Sequence, residues 1–182
     1  RPSARRPRDR PGSRARRDSA GPCTTAPSPS RVSCGAALHR HLALRPLSNE
    51  HHGALVLARA VRWACEGRRG TLADVRARIL RAWSAVLAPH FAVEERWLAP
   101  HAGDLAEVLL GQHRDLAAAC ERVRAAEDAT VLAAFGRALD DHIRWEERVL
   151  FPTLEARLAE AELARIGVAL AEHGSGAACM DP

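Results

Sequence analysis

One pattern of chemically active residues occurs twice in this chain. His90 to Pro100 reads H-x-x-x-E-E-R-x-L-x-P, and His142 to Pro152 reads the same. On an α-helix, residues four apart differ by about 40° around the axis and rise about 6 Å. His90 and Glu94 therefore project from one face, and His142 and Glu146 from another. Each pair offers an imidazole nitrogen and a carboxylate, a donor set suited to iron, manganese or zinc. A single H-x-x-x-E arises by chance on many helices; two copies sharing the flanking Glu, Arg, Leu and Pro make a constellation. Each copy ends in a proline, which a helix interior does not tolerate, so each motif is expected in the last turns of its helix.

Four amphipathic helices would carry these residues. The first is expected from Ser48, an N-cap candidate, to about Glu66 before Gly67, with Ala54, Leu57, Ala58, Val61 and Cys65 on its apolar stripe. The second opens at Thr71-Leu72-Ala73-Asp74, close to a capping box. Its inward face is Leu72, Val75, Ile79, Trp83, Val86, His90, Glu94 and Trp97. The third spans about Asp104 to Glu127, with Leu105, Leu109, His113, Leu116, Cys120 and Val123 on one side. The fourth starts near Asp128 or Thr130 and presents Val131, Phe135, Ala138, Leu139, His142, Glu146 and Val149. A shorter fifth helix is expected over about Glu160 to Glu172. Short connections between such helices predict an all-α, up-down-up-down four-helix bundle with a short extra C-terminal helix.

The polar residues on the inward stripes need compensation, because a buried, unpaired carboxylate costs several kcal/mol, on the order of a lost ion pair. A lone His113 would ordinarily be a hydrogen-bonded core histidine, and a lone Glu94 or Glu146 an ion-paired boundary residue. On four consecutive helices together they point to divalent metal, with the carboxylates bridging two ions. His51 and His52 compete for the position on the first helix. His51 has Leu55, Ala58 and Val61 at helical spacings, whereas His52 stacks over Arg59, which favours His51. Glu95 and Glu147 are turned about 100° from their neighbours and are expected to face outward or to hold a ligand imidazole. His101, after Pro100, reads as a surface residue.

Composition bounds the remainder. Of 182 residues, 47% are hydrophobic, enough for one domain with a core. Residues 1–35 are rich in Arg, Pro, Ser and Gly and predict a disordered tail. Residues 36–173 would form the bundle, and 174–182 a loose C-terminal tail. The tail holds nine Arg against two Asp; the rest holds eighteen Arg against twenty acids, so the net charge of +5 belongs to the tail. The folded part has no basic face, and no nucleic acid is expected as a partner. No apolar run approaches the roughly 18 residues of a membrane span, so no membrane is expected. Arg5-Arg6 and Arg16-Arg17 resemble a twin-arginine signal without the apolar run that should follow, and a cytoplasmic location is expected. The five cysteines are widely spaced and odd in number, which argues against a disulfide framework.

From about Leu47 to Leu154 the chain resembles the hemerythrin-like, or HHE cation-binding, domain family. The resemblance rests on Glu50-His51 after Leu47, on His90 with Glu94, on His113, and on His142 with Glu146 before Leu150-Phe151-Pro152. It implies a non-haem di-iron centre, two Fe ions compatible with an oxo or hydroxo bridge. The metal ligands it implies are His51, His90, Glu94, His113, His142 and Glu146, with the two Glu bridging. One ion would keep a position for dioxygen or another small diatomic ligand. The oxygen-carrying hemerythrins have a second His four residues after the first on the third helix, where this chain has Ala117, and an Asp one residue further along the last helix. Fewer protein ligands favour sensing of oxygen or nitric oxide, or iron handling, over transport. A di-iron oxidase or peroxidase is the competing reading, weakened by the absence of Tyr, and a metal-free helical interaction module is a third. The resemblance names no protein partner.

Overall fold

The structure, a computed structural model, describes residues 40–173. A 3-10 turn, Leu42–Leu44, leads into α1, Arg45–Cys65. Helix α2 begins as Leu72–Ala82, passes through a π-helical turn, Trp83–Leu87, and continues as Ala88–Trp97. Helix α3 is Leu105–Ala125. Helix α4 begins as Ala129–Trp145, passes through the π turn Glu146–Leu150 and continues as Phe151–Arg157; α5 is Glu160–His173. The fold is all-helical, with no strand among the described residues. None of these helices is long and apolar enough to cross a membrane. The tails assigned to 1–35 and 174–182 lie outside the described residues, as do Cys23, Cys34 and Cys179. Cys65 and Cys120 are free thiols.

Local chemistry sets most boundaries. Thr71 and Asp74 form the expected capping box at α2, each side chain accepting from the other's amide. Asp128 caps α4 by accepting from the amides of Thr130 and Val131, at 2.8 and 3.0 Å. Gly67 and Gly70 take positive φ, 66° and 80°, in the turn from α1 to α2, a conformation that side chains with a Cβ resist.

Three expectations need correction. Ser48 is not an N-cap: α1 starts at Arg45, with Pro46 in its first turn, and the Ser48 hydroxyl instead donates to Glu147. The second motif does not end its helix, because α4 runs past Pro152 to Arg157. The π turns explain this. Proline lacks an N–H and crowds the carbonyl four residues back. Both π turns stand just before a residue-proline pair, Ala88-Pro89 and Phe151-Pro152. Each closes with a bond spanning five residues, Ala88 N–H to Trp83 C=O and Phe151 N–H to Glu146 C=O. The widened turn carries the helix past the proline. The extra residue in the turn also sets the helix phase back, so Leu150 is buried and Val149, expected inward, is 39% exposed.

Neighbouring helices run in opposite directions. The thiol of Cys65, at the end of α1, meets the carbonyl of Ala129, at the start of α4, and His51, near the start of α1, meets Glu147 late in α4. Likewise Arg76 early in α2 donates to the carbonyls of Val123 and Arg124 at the end of α3, while Glu95 late in α2 meets His113. α1 and α4 approach closely at Gly136, where a methyl group would sit 3.0 Å from Val61 Cγ1.

Two apolar clusters form the core. One contains Ala54, Leu57, Val61, Ile79, Leu116, Phe135 and Leu139; the other contains Leu44, Leu47, Leu98, Leu109, Leu150, Phe151 and Ile166. On α1, α3 and α4 the change from one cluster to the other falls at a histidine: His51 between Leu47 and Ala54, His113 between Leu109 and Leu116, His142 with Glu146 between Leu139 and Leu150. On α2 it falls at His90 to Glu94. α5 closes the second cluster with Ile166 and Leu170.

Candidate metal centre

At that junction the structure brings together all six residues singled out from the sequence. Two groups of four potential donors form: His51, His90, Glu94 and Glu146, and Glu94, His113, His142 and Glu146. Within each group the donor atoms all lie within 4.8 Å of one another. Both carboxylates are fully buried, at 0% exposure. His51 is buried in the cluster, whereas His52 is exposed, as is His101.

The glutamates belong to both groups and divide their oxygens between them. Glu94 Oε1 lies 3.2 Å from His90 Nε2 and 3.8 Å from His51 Nε2, while its Oε2 is 3.5 Å from His113 Nε2. Glu146 Oε2 lies 3.1 Å from His51 Nε2, while its Oε1 is 3.4 Å from His142 Nε2 and 3.9 Å from His113 Nε2. This is the arrangement required of a carboxylate that touches two cations. The four oxygens, with Nε2 of His113 and His142, are buried and make no hydrogen bond of acceptable geometry despite these short separations. Buried polar groups are ordinarily satisfied. Nitrogen and oxygen atoms that converge with their lone pairs facing one another fit a shared cation, so the residues present fit the implied metal.

Each imidazole is held from behind, at Nδ1. Glu50 accepts from His90 at 2.7 Å, Glu95 from His113 at 2.9 Å, Gln112 from His142 at 2.8 Å and Glu147 from His51 at 2.7 Å. The four contacts close a ring through the helices: α1 holds the histidine of α2, α2 that of α3, α3 that of α4, and α4 that of α1. With the Nδ1 proton engaged, Nε2 is left as the donor facing the cluster. Glu95 and Glu147 thus sit behind imidazoles. Glu50 and Gln112 were given no such role from the sequence. The available signal was adjacency, since all four partners stand next to a candidate ligand in the chain.

Aromatic rings fix the imidazole planes. Phe151 stacks on His51 at 5.4 Å and 13°, and Phe91 stacks on His113 at 4.2 Å and 11° while turning its edge to His142. Arg40, before the first turn, is a further residue that the sequence did not single out. Its guanidinium lies 4.9 Å over Phe151, donates to Glu147 at 2.7 Å, and reaches Glu155 at 3.1 Å.

The electrostatics follow from burial and from these partners. Burial alone would lower the imidazolium pKa values. Around His51 the carboxylates of Glu146, Glu147 and Glu94 outweigh it and raise the pKa well above 6.5. Glu94 and Glu50 raise His90 to about 9, and Glu146, Glu94 and Glu95 raise His113 to about 10. For His142 burial wins, and its pKa is lowered. Burial would raise Glu94, but His90, His113 and His51 hold it well below the usual carboxylate value. Glu147 is likewise drawn down against burial, to about 2, by His51, Ser48 and Arg40. Without a cation, the charge of Glu94 is thus balanced by protons on the histidines around it.

No curated protein and no solved structure matches the chain. The family model described as Hemerythrin HHE cation binding domain matches residues 104–181. That stretch contains α3 and α4 with His113, His142 and Glu146, three of the six converging residues. Over residues 104–181 the chain is thus similar to the hemerythrin HHE cation-binding domain.

Proposed function

We propose that the chain is a non-haem di-iron protein of the hemerythrin-like type that binds or senses dioxygen, or a related diatomic such as nitric oxide. In this reading residues 36–173 are the functional module, and α1 to α4 form an up-down-up-down four-helix bundle around two cations. His51 and His90 would hold one ion, His113 and His142 the other, and Glu94 and Glu146 would bridge both. The observation that carries the reading is the division of each buried glutamate's oxygens between the two histidine pairs. The imidazole and carboxylate donors suit iron, and the hemerythrin-like match favours iron over zinc or manganese.

Iron bound there would supply a redox-active centre with a position for one small exogenous ligand. The protein's own contribution is to hold Nε2 of each histidine toward the cluster, to keep each Nδ1 proton on its acceptor, and to exclude bulk water. Beside His51 and His90 lies an apolar niche of about 10 Å³ bounded by Val86, Leu139 and Ile143. A space of that size takes roughly one water-sized molecule. It favours a diatomic ligand over an organic substrate.

The test is anaerobic reconstitution with ferrous iron, followed by iron analysis and optical spectra under nitrogen, air and nitric oxide. Two irons per chain are expected from the two four-donor groups, with a spectrum that changes on admission of at least one gas. A chain that refuses iron, or that binds it and shows one spectrum under all three conditions, overturns the reading.

A further inference from the structure

The ring of Nδ1 contacts has one unlike member. His51, His90 and His113 each rest on a carboxylate, while His142 rests on the neutral amide of Gln112. All four contacts orient an imidazole, but only a carboxylate also places a negative charge behind it. That charge increases electron density at Nε2 and attracts the cation in front. The two histidine pairs differ in total as well. Behind His51 and His90 stand Glu147 and Glu50, with side chains 22% and 18% exposed. Arg40 offsets part of the Glu147 charge, but it lies on the far side of that carboxylate and is shared with Glu155. Behind His113 and His142 stands one carboxylate, Glu95, whose side chain is 43% exposed and so better screened by solvent.

A second, independent asymmetry lies in access. A solvent-open cavity of about 380 Å³ between α3 and α4 is lined by Gln112, Asp115, Asp141, His142 and Trp145. It borders His142 and its amide partner directly. On the opposite side, His51 and His90 border a niche of about 10 Å³. Asp115 and Asp141 are exposed at the mouth of the larger cavity, where their charge draws cations inward.

We propose that the two cation positions are unequal: the one formed by His113 and His142 binds more weakly and exchanges through the Gln112 cavity, while the one formed by His51 and His90 is retained. This rests on the reading of a two-cation centre above. Gln112 is then a positioning residue that sets the difference between the positions. By the effect typical of a lost outer-shell partner, the two affinities should differ by about 10–100-fold.

The probe is Co²⁺ loaded into the full chain, stripped by graded chelator and followed by native mass spectrometry and visible absorption. The native protein should lose its cations in two steps. Gln112→Glu should move the easier step toward the harder one and narrow the gap, while Gln112→Leu should make the easier step easier still and leave the harder one in place. Glu50→Gln should instead shift the harder step, which a general loss of packing would not do selectively. Helical circular dichroism establishes that each variant is folded. Two cations released in a single step, unaltered by Gln112→Glu, overturn this inference alone. A chain that takes up no Co²⁺ and no iron overturns the two-cation reading and this inference with it.

Discussion

Glu147 follows Glu146 directly in α4, yet it serves a different helix: its Oε1 accepts the Nδ1 proton of His51, on α1, at 2.7 Å. Ser48 donates to the same oxygen, and Arg40 holds the other. Glu95 does the same for His113 of α3. In each Glu-Glu pair the first residue enters the cluster and the second reaches across to orient a neighbour's imidazole. Loss of such a partner should weaken cation binding without abolishing it. Glu147→Ala and Glu95→Ala are therefore expected to lower metal affinity by about 10–100-fold. Arg40→Ala should act in the same direction as Glu147→Ala and less strongly, because it leaves the Glu147–His51 contact in place. Metal titration of the three variants decides; unchanged affinity in Glu147→Ala would remove the Nδ1 contact from the account.

Glu94→Ala and Glu146→Ala should behave differently. Each of these carboxylates faces both histidine pairs, so its removal affects both cation positions together. A cation at 100 times its dissociation constant stabilises the folded state by about 2.7 kcal/mol through mass action. In these two variants the corresponding rise in melting temperature should vanish, and metal analysis should find both ions lost. Retention of one full equivalent in either variant would contradict bridging.

Most of the helix faces were legible because burial and 3.6-residue periodicity are local properties. His90 with Glu94 and His142 with Glu146 share a face by spacing alone, and the Thr71 and Asp128 starts follow from cap chemistry. The ends of the motifs were less legible. Pro100 does follow the end of α2, whereas Pro152 sits inside α4, and the two carry the same local sequence. What differs is the π turn before Phe151-Pro152, whose widened backbone exchanges Val149 for Leu150 in the core. The ring of Nδ1 partners was half legible. The angular offset of Glu95 and Glu147 marked them as candidates for holding an imidazole, but which histidine each holds depends on which helix lies next to it. Nothing periodic marks Gln112 or Glu50, and Arg40 precedes the first amphipathic stripe altogether.

Phe151 connects the core to the site. It is fully buried, stacks on His51 and lies under Arg40. Phe151→Ala removes a large core side chain and should cost about 3–5 kcal/mol of stability. It also frees the His51 ring plane and the guanidinium that braces Glu147. Phe151→Leu should recover much of the packing and little of the stacking. Chemical denaturation together with metal titration separates the two roles. If Phe151→Leu restores stability and metal affinity to the same extent, the stacking contributes nothing to the site.

The histidines make the pH dependence of the metal-free protein opposite to that of metal binding. His90 and His113 have folded pKa values raised to about 9 and about 10, and His51 is raised as well. A raised folded pKa contributes stability that is fully present below the unfolded value of 6.5 and is lost as pH rises through the folded value. His142 is shifted the other way, so its contribution is complete above 6.5 and lost on acidification. Glu94 and Glu147 are depressed, and their contributions disappear as pH falls, for Glu147 toward about 2. Above pH 6.5 the three raised histidines lose their contribution, and at the alkaline end the thiols of Cys65 and Cys120, raised from 9.0 by burial, act in the same sense, so the metal-free protein should become steadily less stable toward pH 9. Cation binding should respond in the opposite sense, because each ion must displace protons from the same imidazoles, and proton competition fades as pH rises. The stabilisation produced by a fixed cation concentration should therefore grow from pH 6 to pH 8.5 while the metal-free baseline falls. Denaturation curves with and without cation across that range measure both trends. A metal-free protein that gains stability over the interval would mean that Glu94 is not balanced by protonated histidines.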